Sequence, residues 1–296
     1  MAIRMTRREA IGATAAAALA MGGIMSMGSA EAASAGSGEL KKAVVMSMLP
    51  DSMPVEDRFK LARDCGFDGV ESYPESDPKA AEGLRAAAER AGIRIHSLMY
   101  GGWDAPLSSP DPQVAQRGVD GIRSALRSAR LQGADTVLVV PAIVNESTRY
   151  IEAYERSQKH LRSLLPDAEE QKVVIAVEDV WNNFLLSPIE FARYIDELKS
   201  PYVRAYFDVG NVVAFGWPQD WILTLGKRIR RVHLKDFKKG PRAFVNLRDG
   251  DVNWPAVRRA LATVGYSGFM TAELGGGDRA YLTDVAARID KIIAGE

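Results

Sequence analysis

The chain contains a single cysteine, Cys65, which excludes an internal disulfide and any thiolate zinc cluster. Lys and Arg together number 38 and so do Asp and Glu, giving a formal charge of zero. No long basic run breaks that balance, so the electrostatic footprint of a nucleic-acid partner is missing. No apolar run is followed by G-x-G-x-x-G or a P-loop, which removes the usual support for a dinucleotide or nucleotide site. No linker rich in Pro, Gly or Ser interrupts the chain beyond residue 40, so that region reads as one domain.

What is present begins at the N-terminus. The stretch "MTRREAIGATAAAALAMGGIMSMGSAEAASA" pairs Arg7 with Arg8, continues into an Ala-rich apolar run, and offers small-residue cleavage options between Ala30 and Ala35. It resembles a twin-arginine (Tat) signal peptide. The expectation is that residues 1–35 address the chain to the Tat export machinery and a periplasmic or otherwise exported location. Gly12, Gly22 and Gly23 weaken a helix there and the run is mild for a permanent membrane span. Cleavage would remove Arg4, Arg7 and Arg8 with Glu9 and Glu31, leaving a chain still close to neutral.

From about residue 40 the sequence keeps one rhythm. Short apolar runs that read as buried strands fall at 43–48, 69–73, 93–98, 135–140, 173–178, 203–208, 229–236 and 269–274. Amphipathic stretches with helix punctuation separate them, such as Pro54-Val55-Glu56-Asp57 at one start and Gly92 after "ERA" at one end. Eight such alternations in about 255 residues predict an α/β fold, a (β/α)₈ TIM barrel over residues 36–296. An open doubly wound sheet is the alternative.

In a barrel the carboxyl ends of the strands meet at one mouth. The residues near those ends are Glu71, His96, Glu178, Asp208, His233 and Glu273. Glu178, Asp208, His233 and Glu273 come from four successive strands, and three carboxylates with one imidazole suit a divalent metal ion: manganese, magnesium, cobalt or zinc. Glu71 and His96, from the opposite side, are candidates for contacts to the polar groups of a substrate. Trp103 and Trp181 follow strand ends and offer aromatic faces to the C–H groups of a ligand, with Asn183 beside them. Lys235 is expected to stabilise developing oxyanion character, with Asp236 holding it in place or closing the seventh loop through a salt bridge.

"YFDVGN", "RVHLKDF", "VEDVWNNFLLSP" and "TAELGGG" resemble the sugar isomerase and epimerase superfamily with the xylose-isomerase-like barrel, including ketose 3-epimerases. The resemblance spans roughly residues 40–296. It implies that Glu178, Asp208, His233 and Glu273 hold the metal and that Glu178 and Glu273 act as acid and base. "LRDGDVNW" is similar to a loop of the form L-G-E-G-x-x-x-W, with Arg248 and Asp249 in place of the first glycine and the glutamate. Asn211 stands where several epimerases carry histidine, and is a substrate-contact candidate. The implied activity is a metal-dependent isomerase or epimerase acting on a small carbohydrate through an enediolate. Alternatives are a 3-keto-glycoside lyase and a non-catalytic carbohydrate-binding protein. A barrel nuclease fits poorly, because three histidines do not supply a trinuclear zinc site. The sequence leaves open whether the chain forms a homo-oligomer.

Overall fold

The computed structural model describes residues 39–296; the signal-peptide reading of residues 1–35 lies outside them. Eight parallel strands close into a barrel: β1 (Leu40–Val45), β2 (Gly69–Ser72), β3 (Arg94–Tyr100), β4 (Thr136–Val139), β5 (Val174–Glu178), β6 (Val203–Asp208), β7 (Ile229–Leu234) and β10 (Gly268–Ala272). An antiparallel hairpin, β8 (Asp236–Lys238) and β9 (Ala243–Val245), stands on the loop after β7. Each expected strand is found, most of them displaced by one to three residues at an end. The first is displaced most, because Met46–Met48 close a 3₁₀ turn instead of continuing the strand.

The helices start and stop where the chain chemistry directs. α1 (Val55–Asp64) opens after Pro54 with Glu56 and Asp57 in its first turn, where the helix dipole favours acids. α2 (Pro78–Ala91) is capped by Asp77, whose carboxylate accepts the Lys79 N–H, and ends at Gly92 in the left-handed conformation. Cys65 is the buried residue that closes α1. Among the described residues no helix is long and apolar enough to cross a membrane.

Two register irregularities set which side chains face the barrel interior. Between β2 and β3, Val70 pairs with Ile95 but Glu71 pairs with Ser97, so His96 is an extra residue on β3. Between β6 and β7, Ala205 pairs with Ile229 but Tyr206 with Arg231, and Asp208 then lies beside His233. The interior is therefore polar at both ends. At the floor, Asp135 accepts hydrogen bonds from Arg94 at 2.8 Å and Arg231 at 2.5 Å and forms an ion pair with Arg230 at 3.0 Å, with the Arg231 guanidinium 5.7 Å from the centre of the Phe269 ring. Leu138, Ala176 and Tyr206 form an apolar layer above it.

Candidate metal centre

The last residues of β5 and β6, one near the end of β7 and one just past β10 bring Glu178, Asp208, His233 and Glu273 together. One ligand atom from each lies within 4.8 Å of all the others. His233 Nδ1 is the nitrogen of the set: Glu178 Oε1 lies at 3.0 Å, Glu273 Oε2 at 2.8 Å and Asp208 Oδ2 at 3.9 Å. That nitrogen can satisfy one acceptor at most, and only Glu178 is in hydrogen-bond geometry with it. Asp208 Oδ2 and Glu273 Oε2 are buried without a hydrogen-bond partner. Lys235 Nζ stands 3.1 Å and 2.9 Å from those same two oxygens, which is ion-pair distance without hydrogen-bond alignment. Buried carboxylate oxygens without an aligned hydrogen-bond donor are costly, even with an ammonium nearby. A convergent O₃N donor set with orphaned oxygens fits a divalent cation, and these four residues would hold it.

The surroundings orient these donors. His233 Nε2 lies 2.6 Å from Glu71 Oε2, and Glu71 Oε1 accepts the Ser97 hydroxyl at 2.9 Å. This is the carboxylate–imidazole relay that fixes which ring nitrogen faces a metal. Asp208 Oδ1 accepts the Asn211 N–H at 2.8 Å, leaving Oδ2 free, and the Asp208 N–H donates to Asp179 Oδ1 at 2.8 Å. Glycine in "DVGN" is required by proximity: a Cβ on Gly210 would lie 2.4 Å from Lys235 Cβ.

The two glutamates are driven apart electrically. Burial pushes Glu178 up to about 7, against the pull of His233. Burial also opposes ionisation of Glu273, but His233 and Lys235 outweigh it and hold that carboxyl down near 2. Burial raises Asp208, and Asp179 well above the carboxylate range, the latter helped by the neighbouring Asp208 charge. His233 loses ground to burial, yet Tyr206, Glu273, Glu71 and Glu178 hold it above its ordinary value.

Beside the donors lies a cavity of about 260 Å³ lined by Glu178, Glu273, Lys235, Trp103 and Trp181 with apolar Met99, Leu138, Val140 and Phe244. The structure thus brings both predicted tryptophans to the site. Asn211 lines it too, but its side-chain amide donates to the Asp179 backbone carbonyl and its backbone carbonyl accepts the Trp181 indole N–H at 3.0 Å, so it holds the wall in shape.

Four expectations need correction. Glu71 is fully buried and committed to His233 and Ser97, so it orients a ligand and does not reach sugar. His96 is also fully buried, stacked on Phe269 at 4.2 Å and within 3.1 Å of the Thr271 hydroxyl, because the extra residue on β3 sends it into the barrel. Asn183 has φ of 58° and donates to the Val144 carbonyl, away from the cavity lining. Asp236 neither holds Lys235 nor forms a salt bridge. It accepts the N–H groups of Phe237, Arg248 and Val252 and the Trp254 indole, at 2.8–3.2 Å, and so ties the "LRDGDVNW" loop to β8. Arg248, in the glycine's place, keeps the left-handed backbone at φ 70°. Asp249 pairs with Arg288 at 2.8 Å on the C-terminal helix (Arg279–Ala294).

Two contributors were missed. Phe244 sits on the β8–β9 hairpin, whose signal was the Gly240-Pro241 turn between Phe237 and Phe244. Asp179 follows Glu178 directly and was hidden by it.

The sequence matches the model of the xylose isomerase-like TIM barrel family over residues 59–291. L-ribulose-5-phosphate 3-epimerase UlaE of Shigella boydii serotype 18 is 26% identical over 251 residues, covering 77% of this chain and 86% of that protein. Among solved structures, an L-ribulose 3-epimerase superposes with a TM-score of 0.75 at 19% identity, over 86% of this chain and 95% of the other. The 3-keto-D-glucoside 4-epimerase YcjR from E. coli gives 0.73 at 15% identity, over 86% and 100%.

Proposed function

We propose, because the chain belongs to the xylose isomerase-like TIM barrel family and carries a complete donor set at its mouth, that it is a divalent-metal-dependent carbohydrate epimerase or isomerase. The observation that carries this reading is the pair Glu178 and Glu273. They come from strands separated by β6 and β7, line one cavity, and flank one imidazole at 3.0 Å and 2.8 Å. Curated relatives that carry epimerase names support the same class.

A proton on carbon beside a sugar carbonyl is too weakly acidic for an unaided carboxylate. A bound divalent ion supplies Lewis acidity toward the carbonyl and adjacent hydroxyl oxygens. The chain's residues do the rest. One glutamate removes the proton and the other returns it; delivery to the opposite face inverts the carbon. In the metal-free chain their environments already set the two carboxyls apart, Glu178 raised to about 7 and Glu273 held near 2, and a bound cation would favour the ionised form of both. Lys235 lines the cavity as its one cation and faces negative charge that develops on the substrate. The tryptophans cover the apolar faces of the ring and exclude water.

Manganese is our choice among the hard and borderline ions, on the strength of three carboxylates and no thiolate. The twin arginines and apolar run of residues 1–35 support export by the Tat route. The test is to incubate metal-loaded protein with ketoses, aldoses and 3-keto-glycosides in heavy water and follow the products by NMR. Deuterium at the carbon beside the carbonyl, with conversion to an epimer or isomer, is the expected result. Release of an aglycone would assign elimination by the same base, and no exchange from a fully metallated protein would overturn the reading.

A further inference from the structure

A second cavity, of about 480 Å³, adjoins the reactive one and shares Lys235, Glu273 and Phe244 with it. We propose that this outer cavity is a subsite for an uncharged second unit of a glycoside whose keto-bearing ring occupies the inner cavity, so that the substrate is a glycoside and not a sugar phosphate. The proposal rests on the reading of Glu178 and Glu273 given above.

Size is the first argument. The inner cavity, about 260 Å³, falls below the roughly 300 Å³ lower end of drug-sized sites and suits one small ring. The outer cavity is the larger of the two and opens beside the same glutamate. Phe244 stands between them, 45% exposed, stacked on Trp181 with ring centres 5.2 Å apart. An aromatic face at a junction suits the C–H faces of two linked rings.

Charge is the second. The outer cavity's charged side chains are Lys235 and Glu273, and Lys235 is already paired with Glu273 and Asp208. A phosphate dianion there would meet a carboxylate and, among the described residues, no free cation, whereas phosphate sites are built from Arg forks, Lys or helix N-termini. The third cavity of the mouth holds Arg58, but that guanidinium donates to the Met53 and Asp51 carbonyls and shares its walls with Asp51 and Asp278.

Neutral polar groups are the third. Ser47 and Tyr281 line the outer cavity, and their hydroxyls have no protein hydrogen-bond partner among the described residues. Such groups match sugar hydroxyls, which donate and accept. Tyr281 lies where it does because residue 277 is glycine: a Cβ there would sit 2.4 Å from Tyr281 Cδ1.

Two measurements on metal-loaded protein separate this proposal from the reading beneath it. Deuterium exchange on methyl 3-keto-glucoside, 3-keto-cellobiose and a ketopentose 5-phosphate tests the chemistry, and exchange with none of them sinks the enolising reading. Calorimetric titration with the same three compounds needs no turnover and tests the subsite. Expected is at least tenfold tighter binding of 3-keto-cellobiose than of either single-ring compound, with the advantage reduced about tenfold or more by Ser47→Ala combined with Tyr281→Phe. Equal affinity for one ring and two, tighter binding of the phosphate, or an unchanged preference in the double variant overturns the proposal.

Discussion

The barrel carries buried charge at both ends, and the two ends are solved in opposite ways. At the floor, Asp135 gathers three arginines and both of its oxygens are taken. At the mouth, Glu178, Asp208 and Glu273 crowd one imidazole and one ammonium, and two carboxylate oxygens find no hydrogen-bond donor. Paired charge closes a barrel end. Carboxylate oxygens that meet a lysine at ion-pair distance but find no aligned donor leave it ready for a further cation. The same residue types therefore stabilise the fold in one place and carry chemistry in the other, with geometry as the difference.

Removing a proton carrier at the mouth should have the largest effect. Glu178→Gln and Glu273→Gln each keep an oxygen but lose the base, so the rate of deuterium exchange should fall by roughly 10²–10⁴-fold. Circular dichroism and urea melts should show the barrel intact. Near-normal exchange in both variants would move the proton carriers elsewhere.

The corresponding change at the floor should act on stability alone. Asp135→Ala leaves Arg231, buried in the barrel, without its carboxylate, and is expected to cost about 3 kcal/mol in urea unfolding. Exchange rate per folded molecule should stay near that of the parent chain. A loss of activity matching that of Glu178→Gln would show that the two ends are not separable.

Glu71 lies between the ends in effect as well as in place. Glu71→Gln retains the shape but weakens the acceptor on His233 Nε2, so metal affinity should drop by roughly 10–100-fold. Elemental analysis after dialysis against graded chelator would measure it. Unchanged affinity would reduce the Glu71–His233 contact to packing.

The ligands were legible because a barrel converts strand ends into neighbours: Glu178, Asp208, His233 and Glu273 needed only the strand rhythm to be placed together. What escaped depended on register. His96 and Glu71 read alike as strand-end polar residues, yet one extra residue on β3 turns His96 toward Phe269 and aligns Glu71 with Ser97. Arg231 is inconspicuous in a largely apolar strand, although it stands two residues before His233 and the period of two puts both on one face. Asp236 was read through its charge, while its use is as an acceptor for loop N–H groups that are remote or unremarkable in sequence.

The two ends should also respond to pH with opposite signs. Burial raises the Asp135 carboxyl, but Arg231 and Arg230 outweigh it, so in the folded protein Asp135 titrates below its ordinary 3.8. A depressed carboxyl adds stability that is complete above the unfolded value and is lost as pH falls through the folded one. The stability difference between the parent chain and Asp135→Asn should therefore be constant above about pH 5 and shrink as pH falls below the ordinary aspartate value near 3.9. At the mouth of the metal-free protein, burial lifts Glu178 from 4.5 to about 7. A raised carboxyl favours folding below the unfolded value, and that contribution is lost as pH rises from 4.5 through about 7. The difference between the parent chain and Glu178→Gln should then move against the parent over that interval. Adding the metal should remove the trend, since a bound cation favours the ionised carboxylate. Urea melts of both variants across these two windows, with and without metal, would check the pair of signs. The same slope at both ends would mean that the mouth carboxylates are already neutralised by Lys235 and His233, which would remove the electrostatic case for a cation there.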